Sequence, residues 1–278
     1  MIEWQSASDS DAAAVKSCCV TAYESEWVEL LLGASWHPGG LELTMHAGAM
    51  LELAPNRTLL DVACGQGASA IALAREYGCS ALGVDLSARN VEIARGDAER
   101  AGVADRVRFE VGDAEWLRVD DETFDAVLCE CAFCTFPSKE AAAREFARAL
   151  RPGGVVCVTD VTLDGRLPGD LDTLLGRVAC IAEAQPAVAY ATELAAAGLA
   201  VGTIERHDGA VRELLQQVRL RLLAAEVASA LGKLALSRES LREAKSLLRS
   251  ASGAVDDGTL GYALITARAG LPPREERF

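Results

Sequence analysis

Aromatic side chains are scarce in this chain, at 5% of 278 residues, and it holds only three histidines and three methionines. Half of the residues are hydrophobic, so the core must be built from aliphatic and alanine side chains, an ordinary globular composition. Bases are outnumbered, 27 lysines and arginines against 41 acids, for a net charge of −14. That sign argues against a nucleic-acid backbone or an anionic membrane face as a partner. Uncharged apolar runs never reach about 18 residues, and the opening Met1-Ile-Glu-Trp-Gln has no basic segment leading into an apolar one. A cytoplasmic location is expected. Internal repeats and low-complexity linkers are also missing, and the length suits one large or two small domains.

Cysteine, by contrast, is plentiful. Nine thiols in a reducing compartment are buried hydrophobes or donors to soft ligands rather than disulfides. Cys79 and Cys157 lie in or beside strand-like runs and read as core. The others are concentrated elsewhere, with Cys129, Cys131 and Cys134 inside six residues and Cys18 beside Cys19.

Strand-like patterns are predicted at 58–63, 80–85, 106–111, 124–129 and 154–160, with helices at 69–78, 88–101 and 139–150. Strands separated by connections of helix length imply βαβ units and a parallel sheet. Residues 10–52 read as helices around a turn at Gly33 to Gly40, forming an N-terminal helical cover (1–52) on a main domain (53–278). Beyond the fifth strand a helix (188–197), a strand (199–206), a helical insertion (about 210–250, broken near Gly232) and a last strand (261–267) follow. The insertion is expected to cover a site.

The most informative stretch is Thr58-Leu-Leu-Asp-Val-Ala-Cys-Gly-Gln-Gly-Ala-Ser69. An apolar run ends at Asp61, and Gly65 and Gly67 bracket a turn into a helix. Glycine has no side chain to hold a ligand away from the backbone. Two more carboxylates end the next strands. Asp85, in Gly83-Val-Asp-Leu-Ser, lies eighteen residues after Gly67 and can accept both hydroxyls of a ribose. Asp113, in Val111-Gly-Asp-Ala-Glu, can accept an adenine amino proton. Any single acid at a strand end reads equally well as a helix cap; three in order point to a nucleotide site. Ala70 at the third position of the G-x-G-x-x-G/A fingerprint leaves a dinucleotide site open on the glycines alone.

With these motifs in place, the chain resembles the class I S-adenosylmethionine-dependent methyltransferases. Asp61-Val-Ala-Cys-Gly-Gln-Gly is similar to their first motif, Gly83-Val-Asp-Leu-Ser to the second and Gly112-Asp-Ala-Glu to the third. Phe124-Asp-Ala-Val-Leu and Leu150-Arg-Pro-Gly-Gly match the fourth strand and the turn before the fifth, so the likeness covers about residues 40–163. It implies a Rossmann-like α/β fold, a seven-stranded, mostly parallel sheet with an antiparallel last strand, and S-adenosyl-L-methionine as cofactor. By the same resemblance Asp61, Gly65 and Gly67 would line its methionine part, Asp85 the ribose, and Asp113 with Ala114 the adenine; Ala63, Leu86 and Cys129 also fall in the cofactor set.

The fourth strand runs into Cys129-Glu-Cys-Ala-Phe-Cys-Thr-Phe-Pro-Ser-Lys139, a loop that in this fold faces the transferable methyl. Clustered thiols there can hold a soft metalloid. The spacing lacks the paired knuckles or histidines of structural zinc. Small thiols that merely line a pocket remain an alternative. The segment Cys131 to Lys139 also resembles the arsenite methyltransferases, in which a substrate-binding cysteine lies eight residues before a lysine. Val178-Ala-Cys-Ile-Ala-Glu-Ala is similar to the segment with that family's other metalloid-binding cysteine. Ala70, where the family often has a further cysteine, and Gln185-Pro-Ala-Val depart from it. The resemblance implies Cys131 and Cys180 as substrate-binding, catalytic residues, with Cys134 or one of Cys18 and Cys19 (Cys19 in the expected set) completing a site for As(III).

In that chemistry thiol-bound arsenic attacks the methyl with its own lone pair, so no general base is needed. A chain whose three histidines avoid the first four motif loops suits this. Small thiols such as glutathione are possible partners. Three alternatives stay open: methylation of an O, N or C atom of a small metabolite, a metalloid-binding protein without turnover, and a redox sensor. His37 and His207 read as turn and helix-start residues, and Tyr23, Trp27 and Trp36 as pocket walls or core.

Overall fold

The computed structural model describes Lys16, residues 37–167, Gly169, Leu171, and residues 180–231 and 237–270. Helix α1 (Gly40–Met50) comes first, then β1 (Thr58–Val62), α2 (Ala68–Tyr77), β2 (Ser80–Asp85), α3 (Ala88–Ala101) and β3 (Val107–Val111). Next are β4 (Phe124–Glu130), a 3-10 turn (Phe133–Thr135), α4 (Lys139–Ala149) and β5 (Leu150–Leu163). The last third holds α5 (Ala187–Ala196), β6 (Ala200–Arg206), α6 (Asp208–Ala230), α7 (Arg238–Asp256) and β7 (Leu260–Arg268).

The seven strands form one sheet in the order β3-β2-β1-β4-β5-β7-β6. Neighbours from β3 to β5 are parallel, while β7 runs antiparallel to both β5 and β6. This is the Rossmann-like sheet expected from the motifs. Central strands are covered on both faces, which is why β1, β4 and β7 read as nearly unbroken apolar runs rather than alternating ones. Helix starts follow local chemistry: the Ser87 side chain accepts the Asn90 N–H at α3, and Ser138 accepts the Ala141 N–H at α4.

Strand order reverses between β1 and β4, and open α/β sheets bind ligands outside the strand carboxyl ends at such a point. Two expectations need correction. β5 starts at Leu150, because Arg151-Pro-Gly-Gly stays in the strand as an irregularity in its register with β4 rather than a turn before it. The α6–α7 pair packs against β7; none of its described residues lines the cleft at the switch point. The described residues of the insertion pack on β7 and do not border the cleft they were expected to cover.

Candidate functional site

A cavity of about 180 Å3 opens at the ends of β1, β2 and β4. Asp61, Ala63, Gly65, Asp85, Leu86, Asp113 and Ala114, seven of the expected cofactor residues, line it. Ala63 takes a left-handed φ of +58°, uncommon for a residue with a Cβ and typical of strained functional backbone. Gly65 is left-handed as well, and a Cβ there would meet nothing within 4 Å, so its missing side chain leaves the cleft open.

Gly67 does something different from what its motif implies: it does not line the cavity. A Cβ at Gly67 would stand 2.5 Å from Phe109 Cζ, so this glycine lets the start of α2 sit down on β3. Cys129 is likewise outside the lining. It is buried within β4, and the next residue, Glu130, turns into the cleft instead.

Carboxylates dominate the walls. The Asp85 carboxylate accepts the Gly65 N–H at 2.9 Å and the Ser87 N–H at 2.8 Å, which ties the second motif to the first. Asp113 accepts the Glu115 N–H at 3.0 Å and is paired with Lys16 at 2.7 Å. Asp61 is 2% exposed, and its Oδ2 is a buried oxygen with no partner. Burial, reinforced by Glu130, holds its carboxyl well above the ordinary range. An orphaned acid oxygen beside a glycine turn, in a cleft with Asp61, Asp85, Asp113 and Glu130 on its walls, fits a ligand carrying an ammonium and a sulfonium.

Glu130 had no role assigned from sequence. Thr44 Oγ1 donates to its two oxygens at 3.1 and 3.2 Å, the Ser69 hydroxyl donates to Oε2 at 2.5 Å, and His37 Nε2 stands 3.6 Å away. Thr44 lies on α1, so Glu130 fastens that helix to the sheet. His37 lines the cavity too, while its Nδ1 lies 3.2 Å from the Pro38 carbonyl oxygen, so the turn and the cleft share this residue. A signal for Glu130 did exist: an acid at the end of the fourth strand, in the same place as the three acids already noticed.

Behind the cleft the thiols converge. The ligand atoms of Cys131, Cys180 and Asp160 all lie within 4.8 Å of one another. The Cys180 thiol donates to the Cys131 carbonyl oxygen at 3.1 Å, and it hydrogen-bonds the side chains of Cys131 and Cys134. Cys131 lines the cofactor cleft; Cys134 and Cys180 are buried behind it. Both Cys131 (φ +51°) and Cys180 (φ +61°) are left-handed, a strain of about 1 kcal/mol or more each that the surrounding packing sustains. The hydrogen bond with Cys180, and then burial, raise the Cys131 thiol well above its usual range; burial first raises that of Cys134. Asp160, also buried, is pushed up to about 7. Its Oδ2 accepts the Cys134 N–H at 2.8 Å. Cys18, Cys19, Tyr23, Trp27 and Trp36 lie outside the described residues.

Comparison with known proteins agrees with this geometry. Residues 59–154 match the family model described as "Methyltransferase domain". The chain is 34% identical over 128 residues to the methyltransferase GfsG of Streptomyces halstedii, 46% of each chain, so it spans about half of that relative. With the 27-O-demethylrifamycin SV methyltransferase of Amycolatopsis mediterranei (strain S699) it shares 31% identity over 230 residues, covering 81% of this chain and 82% of the relative. The Haemonchus contortus phosphoethanolamine N-methyltransferase 2, solved in complex with S-adenosyl-L-methionine, superposes with a TM-score of 0.73 at 21% identity over 90% of this chain and 56% of that one. The strand order, the acid-lined cleft at the switch point and these likenesses together place the chain among the class I S-adenosylmethionine-dependent methyltransferases.

Proposed function

We propose that this methyltransferase transfers methyl groups to a soft, thiophilic element in its trivalent state, As(III) above all, held by Cys131, Cys180 and Cys134. The observation that carries the reading is the meeting of Cys131, Cys180 and Asp160 within 4.8 Å, with Cys131 opening onto the cofactor cleft. When bound, S-adenosyl-L-methionine supplies an electrophilic sulfonium methyl. The ammonium of its methionine part suits the unpaired Asp61 oxygen and the backbone around Gly65. Asp85 is oriented by two N–H donors to receive ribose hydroxyls, and Asp113 with Ala114 lies at the adenine corner.

Raised thiols fit a metalloid that arrives as an uncharged hydroxide. Each protonated cysteine that binds arsenous acid replaces one hydroxide, and the thiol proton leaves with it as water. No ionised thiolate is needed beforehand. Asp160, with a carboxyl titrating near 7, sits where a proton can be taken up or released. Thiol-bound arsenic keeps its lone pair, and the chain's contribution is to position it and keep water out.

A second reading is favoured by the relatives' names: an oxygen, nitrogen or carbon of a small organic molecule as the acceptor, in the part of the cleft walled by Ala132, Phe136 and Pro137. Purified protein incubated with labelled cofactor and arsenite, methylarsenite or antimonite plus a small thiol separates the two. Methylated arsenic and S-adenosylhomocysteine are expected, lost in both Cys131→Ser and Cys180→Ser while cofactor affinity is kept. Cofactor binding without methylation of any of the three would overturn the metalloid reading.

A further inference from the structure

Away from the cofactor cleft, the ligand atoms of His46, Glu205 and His207 also lie within 4.8 Å of one another. Glu205 and His207 alternate along the end of β6 and its exit, and residues two apart in an extended chain share a face. His46 comes from α1. Its Nε2 stands 2.7 Å from Glu205 Oε2, and His207 Nε2 stands 3.3 Å from the same oxygen. The two imidazoles are tilted by 59° with centroids 5.8 Å apart, so they aim at the carboxylate and do not stack.

We propose that these three side chains form a binding site for a borderline divalent transition ion, Zn2+ or its like, that ties the cover helix to the far edge of the sheet. Two imidazoles and one carboxylate are the donor set such ions prefer over Mg2+ or Ca2+. Bonds of about 2.0–2.1 Å in a tetrahedron put neighbouring donor atoms about 3.3 Å apart. The His207–Glu205 separation, 3.3 Å, already equals that edge, and the His46–Glu205 pair, at 2.7 Å, needs to open by about 0.6 Å, within the play of a half-exposed side chain. The fourth position faces solvent, because His46 is 43% exposed and Glu205 32%. In the absence of metal both Nε2 atoms donate to Glu205. Binding the ion moves each imidazole proton to Nδ1, or releases it from a protonated ring, and leaves Nε2 as the donor.

One route from this site to the cleft runs through α1. Thr44, two residues before His46, holds Glu130 in the cleft wall. A metal tie at His46 would therefore steady the helix whose Thr44 holds Glu130. Nothing in this depends on which acceptor is methylated.

Co2+ is the probe, since a tetrahedral nitrogen–oxygen site gives visible d–d bands and a cysteine site adds sulfur charge transfer. Chelator-stripped full-length protein is titrated with Co2+ and competed with Zn2+, alongside His46→Gln, His207→Gln and the Cys131→Ser/Cys180→Ser double variant. Glutamine at 46 can still donate to Glu205 and leaves the fold intact. One ion per chain is expected, without sulfur bands, retained in the cysteine variant and weakened at least about tenfold in each histidine variant. Zn2+ should raise the Tm of the parent and leave the Tm of His46→Gln unmoved. Unchanged binding in the histidine variants, loss only in the cysteine variant, or no binding at micromolar ion would each overturn the proposal.

Discussion

At the scale of single residues, the cleft is a case of stability given up for a ligand. Asp61 is buried, sits beside Glu130 and Asp85, and keeps one oxygen without a partner. An acid in that position is costly unless a cation joins it. Asp61→Asn should therefore raise the Tm of the free protein and weaken S-adenosylmethionine binding about ten- to hundredfold, measured by thermal unfolding and calorimetry. Stability and affinity falling together would contradict this account. Asp160 makes a pH prediction of definite sign. Its folded pKa, about 7, lies above the ordinary 3.8, so the folded state holds the proton more tightly than the unfolded chain does. Stability is then lost as pH rises from about 4 to about 7, by at most about 4 kcal/mol from this group. Asp160→Asn should flatten denaturant-derived stability across that window relative to the parent. A parallel pair of curves would show that the carboxyl titrates normally.

Elements explain why two glycines of one motif have separate duties. β1 ends in a turn whose first glycine faces the cleft and whose second starts α2 against Phe109 of β3. Gly65→Ala adds a methyl group to open space at φ +54°, a backbone cost of about 1 kcal/mol. Gly67→Ala adds one 2.5 Å from an aromatic carbon at φ +79°, which overpacks the helix–sheet seam and should cost about 2 kcal/mol or more. Urea unfolding and cofactor titration of both variants should thus show opposite profiles. Gly65→Ala loses chiefly affinity and Gly67→Ala chiefly stability. Helix α1 is the other element with two tasks, since Thr44 on one face reaches Glu130 and His46 on another reaches β6.

For the whole molecule, the cofactor is a structural partner as well as a reactant. The Asp61 oxygen has no partner and its carboxyl is buried beside Glu130, so a ligand that supplies a donor there should couple binding to stability. S-adenosylhomocysteine at about a hundred times its Kd should add about 2.7 kcal/mol to the unfolding free energy, read as a rise in Tm. An unmoved Tm under saturating ligand would remove this cavity as the cofactor site. Among the described residues no helix is long and apolar enough to cross a membrane.

How much of this was legible follows from the range of the interactions. Asp61, Asp85 and Asp113 could be read because a strand, its carboxyl end and the following turn are consecutive in the chain, and the apolar run marks the strand. The βαβ units of the parallel sheet follow for the same reason, while the seventh, antiparallel strand was implied by the family resemblance. The packing duty of Gly67 was not legible because the motif places it next to Gly65, while what it touches, Phe109, is set by how β3 lies beside β2 and α2. Cys129 and Glu130 show the same limit: which of two neighbours faces the cleft depends on the pleat of β4. Glu130's partners lie 86 and 61 residues away. His46 and Glu205 are separated by 159 residues. Asp160 sits unmarked in a Val-Thr-Asp-Val-Thr run of β5. Periodicity and glycine turns thus marked the βαβ units, the parallel sheet and the strand ends on which ligands bind, since these arise from neighbours along the backbone, while the full seven-stranded architecture came from the family resemblance. Which carboxylates, thiols and imidazoles share an environment was decided only by the folded sheet, because their meeting is bought with the chain's long crossovers.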